Sequence, residues 1–194
     1  MIYRIKQFYR GLFAKVTLED QQFLKKHLSK QEICLFRRLR IGEQRHCLNI
    51  AYDCLAINEH NPTLIKAALL HDVGKVQSNL TLINKAFVVL VIKLNIPGKM
   101  LPQFIKEALY YKKHHPELGA KILEKIGTQS PVIFLTRYHH RDLTRKPFRE
   151  GEYSAWVTVL PAERNCPDQS ALSPDDTAEL VLLLKTLQEI DEKN

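Results

Sequence analysis

Residues 61–75 read NPTLIKAALLHDVGK. Asn61 followed by Pro62 is a helix start, because asparagine caps the first free N–H groups and proline suits the first helical position. On a helix begun there, Leu64, Ala68, His71, Asp72 and Lys75 share one face. An inward apolar stripe therefore runs into a His–Asp pair. An ionised carboxylate turned to a core is costly unless it is paired or holds a cation. A metal with a neighbouring histidine supplies that compensation. Gly74 has no side chain and lets backbone or ligand come close. The plain alternative is a helix end, with His71 near the last carbonyls, Asp72 capping a turn and Gly74 just beyond the cap.

Three further segments weigh against the plain alternative. GEQRHCLNIAYDCLAI (42–57) puts His46 on a stripe with Ile50, Asp53 or Cys54, and Ile57. YKKHHPELGAKILEKIG (111–127) places His114 and His115 before Pro116, which is expected to open a new helix, with Gly119 one turn on. SPVIFLTRYHHRD (130–142) carries His139 on the apolar face of Val132 and Leu135, with His140 next to it. The other two histidines, His27 and His60, stand in polar surroundings and are expected at the surface. Imidazole and carboxylate together suit Mn, Fe, Zn or Ni. A surplus of ligands over four suggests two ions with a water between them, acidic enough to attack phosphorus.

The rest of the chain sets the frame. Thr17 with Asp20, Ser29 with Glu32, Ser130–Pro131 and Ser173–Pro174 repeat helix-start patterns. Strand composition is confined to WVTVL at 156–160. The expected fold is all-α, with helices near 18–27, 30–40, 43–59, 62–73, 80–95, 101–112, 116–126, 131–141, 153–160 and 174–191. Residues 142–152 are polar, with Pro147 and Gly151, and read as an exposed loop. Leu180, Leu183, Leu184 and Leu187 form one face of a last helix that docks on the bundle. The expected organisation is an N-terminal helical extension (1–40), a metal-binding helical domain (41–165, with 76–112 as a lid or insert) and a C-terminal docking helix (166–194).

Hydrophobic residues make up 45% of the 194 and charged residues 26%, the balance of a globular domain with a core. The longest apolar run, AFVVLVIKLNI at 86–96, is broken by Lys93 and is much shorter than the roughly 20 residues a membrane span needs. No secretory signal is read at the N-terminus, and no C-x-x-C pair occurs among Cys34, Cys47, Cys54 and Cys166. A cytoplasmic protein with reduced thiols is expected. The net charge of +8 attracts anions. A small phosphorylated substrate is the favoured partner; nucleic acid or an acidic membrane surface would rest on charge alone. No feature sets an oligomeric state.

The order H … HD-x-G-K … HP-E-x-G-x-x-I-L … HH resembles the HD superfamily of metal-dependent phosphohydrolases, and more specifically its HDIG and HD-GYP branch. The stretches that carry it are QRHCLNIA, AALLHDVGK, HHPELGAKIL and TRYHH, and the resemblance extends over roughly residues 43–165. The resemblance implies an all-α bundle of five or more helices. It implies that His46, His71 and Asp72 bind a first divalent transition metal (Mn, Fe, Zn or Ni, with Mg as a further choice). His115, His139 and His140 match the ligands of a second, and Lys75 matches a lysine that meets substrate phosphate. The family closes its site with a late Asp, usually within an AD dipeptide. Here LPAERNC offers Glu163, with Asp168 or Asp142 as fallback. HHRDLTRK lacks the GYP signature, which argues against cyclic di-GMP as substrate. Arg45, Arg137, Arg141 and Arg145 are candidate phosphate contacts.

The expected activity is hydrolysis of a nucleotide or similar small phosphate ester. A metal-activated hydroxide attacks phosphorus, Asp72 and Lys75 serve the reacting centre, and the metals offset developing charge. A different class of function is a degenerate HD module that binds a nucleotide or partner as a sensor without turnover.

Overall fold

A computed structural model describes residues 14–57, 61–78, 101–145, 148 and 174–194. Among these there are seven α-helices and no strand: α1 (Leu18–His27), α2 (Lys30–Arg37), α3 (Ile41–Ala56), α4 (Pro62–Leu70), α5 (Gln103–Lys125), α6 (Ser130–Tyr138) and α7 (Pro174–Lys193). A 3₁₀ turn, Val73–Gln77, follows α4. The expected all-α bundle is the observed one. The helices foreseen at 80–95 and 153–160 fall outside the described residues, as do His60 and Cys166.

Side-chain chemistry starts the first helices as the sequence suggests. Thr17 and Asp20 form a reciprocal capping box on α1, and Ser29 and Glu32 form one on α2. Asn61 Oδ1 accepts from the N–H groups of Thr63 (2.9 Å) and Leu64 (3.3 Å) at the start of α4. Each such cap is worth about 1 kcal/mol. Ser130 behaves differently. It is the first helical residue of α6, and Gln129 stands at the cap position without a side-chain bond.

The centre of the bundle is α4. Leu64, Ile65, Ala67, Ala68, Leu69 and Leu70 are all buried, so this helix is apolar nearly all round and is packed on several sides. It lies against α3, α6 and α7, with α1 and α2 also touching it. Each fully buried Leu or Ile there contributes about 1.5–3 kcal/mol. Phe36, Leu48, Ile50, Leu123, Phe134, Leu135, Leu184 and Leu187 complete the core around it. A smaller apolar group, Leu101, Ile105 and Ala108, sits at the start of α5.

Two boundaries differ from the sequence expectation. α4 ends at Leu70, so His71 and Asp72 lie in the turn after it rather than on its last face. Residues 103–125 form one helix with Pro116 inside it, not two helices split before the proline. Interior proline removes one helical hydrogen bond. The helix nevertheless continues, and the freed carbonyl finds another donor, described below. α5 closes on Gly127 at φ 71°, with Thr128 N–H donating to Leu123 O at 3.0 Å, the geometry glycine permits at a helix end.

Buried acids tie the first helices to the bundle. Asp20 accepts from Arg45 Nη1 (2.8 Å), Arg45 Nη2 (3.0 Å) and Tyr52 Oη (2.8 Å), which joins α1 to α3. Burial pushes the Asp20 carboxyl up, but these bonds outweigh it and hold it below the usual range. Glu32 accepts from Thr128 Oγ1 at 3.1 Å and lies 3.4 Å from Lys66 Nζ.

Candidate metal centre

His46 projects from the middle of α3, where it follows Arg45 and precedes the buried Cys47. His71 and Asp72 form the turn after α4, each 1% exposed. The 3₁₀ turn then presses against α5 at two glycines. A Cβ on Gly74 would overlap the His115 carbonyl oxygen and stand 2.7 Å from Gly119 N. Gly119 is tight in turn, with Thr136 Cγ2 3.2 Å from where its Cβ would be. This contact brings α5, and His115 with it, up to Asp72.

Asp72 lies between two groups of donors. Its Oδ2 is 3.6 Å from His71 Nε2 and 4.0 Å from His46 Nε2, while its Oδ1 is 3.2 Å from His115 Nε2 and 4.0 Å from His139 Nε2. His46, His71 and Asp72 offer ligand atoms within 4.8 Å of one another, and so do His115, His139 and His140. The six histidine and aspartate positions expected from the sequence therefore converge.

Asp191 joins them. Its Oδ1 is 2.9 Å from His46 Nε2 and 3.9 Å from His71 Nε2. The leucine stripe of α7 indicates only a docking role, and Asp191 is not among the ligands expected from the sequence. The signal was present: Asp191 lies four residues after Leu187 and seven after Leu184, on the same inward stripe. Glu163 and Asp168 fall outside the described residues. Asp142 is exposed and accepts from Thr144 Oγ1 at 2.6 Å.

The imidazoles are held from behind. His71 Nδ1 is 2.9 Å from Ala68 O, His115 Nδ1 is 3.0 Å from Lys112 O, and His139 Nδ1 is 2.7 Å from Thr136 O. Carbonyl oxygens only accept, so each Nδ1 carries a proton, and in the neutral imidazole the lone pair is then on Nε2. These lone pairs point at each other and at carboxylate. His115 Nε2 and His139 Nε2 are 3.2 Å apart, and His71 Nε2 and Asp72 Oδ1 are buried without a hydrogen-bond partner. Such a set calls for a cation. Donors bound about 2.1 Å from one ion stand about 3–4 Å from each other, which matches the spacings here. Backbone carbonyls behind ligating histidines are the usual support of a metal site.

The electrostatics agree. Burial pushes the Asp72 carboxyl up, yet Lys75 and the His71 imidazole outweigh it and hold it well below the usual range. Burial also opposes ionisation of Asp191, but its bond to His46 wins and lowers it. Burial pushes His71 down, and burial with the neighbouring His71 and His140 pushes His139 well down. His140 is lowered to about 4, by burial first and His115 second. The carboxylates are thus charged and these histidines neutral at pH 7, the states in which they bind metal.

Lys75 Nζ lies 2.6 Å from Asp72 Oδ2, at the partly exposed rim of the centre. The arginines foreseen as phosphate contacts have other partners. Arg45 is clamped on Asp20. Arg137 bridges α6 to α5 through Glu117 and Glu124, both at 2.9 Å. Arg141 lies over the Phe148 ring at 3.9 Å, and Arg145 pairs with Asp142 at 3.4 Å. A cleft of about 500 Å³, whose lining residue Tyr111 stands one turn before His115 on α5, is also lined by Gln77, Gln103, Lys106, Glu107 and Tyr110.

Among the described residues no helix is long and apolar enough to cross a membrane. No curated protein and no solved structure gives a match. The family model described as HD domain matches residues 44–192, a span that begins just before His46 and takes in Asp191. HD domains are generally metal-dependent hydrolases that act on phosphate esters, and the two donor groups could each hold an ion. By that match the chain belongs to the HD domain family.

Proposed function

We propose that this protein hydrolyses a nucleotide or a similar small phosphate ester, with two divalent metal ions bound side by side. His46, His71, Asp72 and Asp191 would hold the first ion, and His115, His139 and His140 the second, with Asp72 shared between them. The observation that carries this reading is the position of Asp72. Its two oxygens face two separate histidine groups, and Asp72 Oδ1 and His71 Nε2 are buried between them without a hydrogen-bond partner. Bound metals would supply an activated water and would stabilise the negative charge that develops on phosphorus oxygens. The order HD-x-G-K, HP-E-x-G, HH supports the HDIG-like branch.

The chain's own groups do the rest. Lys75 keeps its ammonium at the rim, 2.6 Å from Asp72. Asp72, with Glu43 behind it, outweighs burial and raises the Lys75 pKa, so the amine stays charged. It can turn from Asp72 to a phosphate oxygen without leaving the site. The neighbouring cleft offers aromatic faces from Tyr110 and Tyr111 and amide groups from Gln77 and Gln103. Those are the groups that stack on and hydrogen-bond to a base. The cleft is therefore where the organic part of the substrate would lie.

The test is elemental analysis of the purified protein followed by a panel of nucleotides and simple phosphate esters. One to two transition metals per chain and turnover of at least one ester are expected. His71→Ala and Asp72→Ala should abolish both. Metal-free protein from metal-replete cells would overturn the reading. Thermal stabilisation by a nucleotide with metal bound and no product formed would select the sensor function instead.

A further inference from the structure

Three histidines of the centre are held by one device. His71, His115 and His139 each place Nδ1 against the carbonyl three residues earlier, those of Ala68, Lys112 and Thr136. For His71 and His139 that carbonyl lies in the last turn of a helix, α4 or α6. There the helix itself supplies no further donor, so the oxygen is free to accept from the ring. His115 has no such helix end. It lies inside α5, which runs on to Lys125.

In an unbroken α-helix the N–H of residue 116 would donate to the carbonyl of residue 112. Pro116 has no N–H. The Lys112 oxygen is thereby left without its helical donor, and His115 Nδ1 stands 3.0 Å from it. Tyr111 O is also near, at 3.1 Å, but it is the oxygen to which the backbone N–H of His115 donates along the helix. Lys112 O is the unshared acceptor. Pro116 is itself buried.

We propose that Pro116 is a positioning residue for the metal centre. By withholding one N–H it creates, in mid-helix, the free carbonyl that His71 and His139 obtain from helix ends. That carbonyl fixes His115 with the proton on Nδ1 and turns Nε2 toward Asp72 and His139. The consequence for metal binding rests on the reading of the centre given above; the tautomer does not.

The experiment compares wild type with Pro116→Ala, with Pro116→Gly as a second variant that also restores the N–H. Nitrogen-15 NMR of the metal-free, histidine-labelled protein reads the His115 tautomer. The wild type should show Nδ1–H, and both variants should gain the Nε2–H form. Titration with Zn²⁺ or Mn²⁺ should show the second ion bound about 10- to 100-fold more weakly in the variants. The thermal midpoint of Pro116→Ala should rise, because a helical hydrogen bond is regained. A merely structural proline would not improve stability on removal while weakening metal binding. An unchanged Nδ1–H tautomer in both variants would overturn the proposal. If the wild type binds no metal at all, the two-metal reading fails, and the tautomer still decides the role of Pro116.

Discussion

Asp191 Oδ1 stands 2.9 Å from His46 Nε2, so the last helix closes a centre that the third helix opens. Asp191 also faces His71 at 3.9 Å. Two segments far apart in sequence, α3 and the turn after α4, thus meet on α7. Asp191→Asn keeps the shape of the side chain and removes its charge. The expected outcome is loss of first-site metal affinity by at least about tenfold, since removing even an indirect partner of a ligand costs that much. Calorimetric metal titration of the variant checks it, with the far-ultraviolet circular dichroism unchanged.

The titrating groups set a pH window for the metal-free protein. His71, His139 and His140 have folded-state pKa values below the ordinary 6.5, with His140 at about 4. Between the folded and unfolded values the unfolded chain binds more protons, so stability rises with pH there. The contribution is complete above 6.5 and falls away below it, that of His140 being lost as pH falls through about 4. Asp72 and Asp191 are lowered from 3.8, so their contribution is lost only at still lower pH. Thermal melts of chelator-treated protein should therefore decline in two stages, the first below pH 6.5. A flat profile from pH 7 to 4.5 would contradict this assignment.

Gly74→Ala tests the crossing of the 3₁₀ turn on α5. The added methyl would overlap the His115 carbonyl, which is backbone and cannot step aside. A loss of about 1–3 kcal/mol or more is expected in denaturant unfolding, the usual range for overpacking. Gly119→Ala meets its neighbours at 3.1–3.2 Å and should cost less.

Arg45→Ala separates a structural clamp from a phosphate contact. Asp20 would remain buried with one guanidinium fewer. A stability loss of about 1–3 kcal/mol follows from leaving that acceptor poorly satisfied. KM for a hydrolysed ester should stay within about twofold of wild type, an energy difference below about 0.5 kcal/mol. A large rise in KM at unchanged stability would return Arg45 to the substrate site.

Tyr110→Ala tests the cleft. The residue is 52% exposed, so the fold should tolerate the change. Loss of one base-stacking face costs about 1–3 kcal/mol. kcat/KM for a nucleoside monophosphate should fall accordingly, while ribose 5-phosphate, which has no base, should be unaffected. Equal loss on both would place the organic part of the substrate elsewhere.

The sequence by itself determined the helical class, the starts of α1, α2 and α4, and six of the side chains that converge at the candidate centre. Those features are local: a cap acts within one turn, and an amphipathic stripe shows which way His46 faces and leads into His71 and His139 at the helix ends. Other features depended on partners distant in the chain. Asp191 looked like one polar residue at the end of a leucine stripe until α7 packed on α3 and α6. Arg45 looked like a phosphate contact until α1 placed Asp20 beside it. Pro116 looked like a helix boundary, because the rule for proline counts the lost N–H and cannot see the imidazole that takes the vacated carbonyl. Charge and hydrogen-bond satisfaction are properties of neighbours in space. Tertiary structure alone decided which acid meets which base.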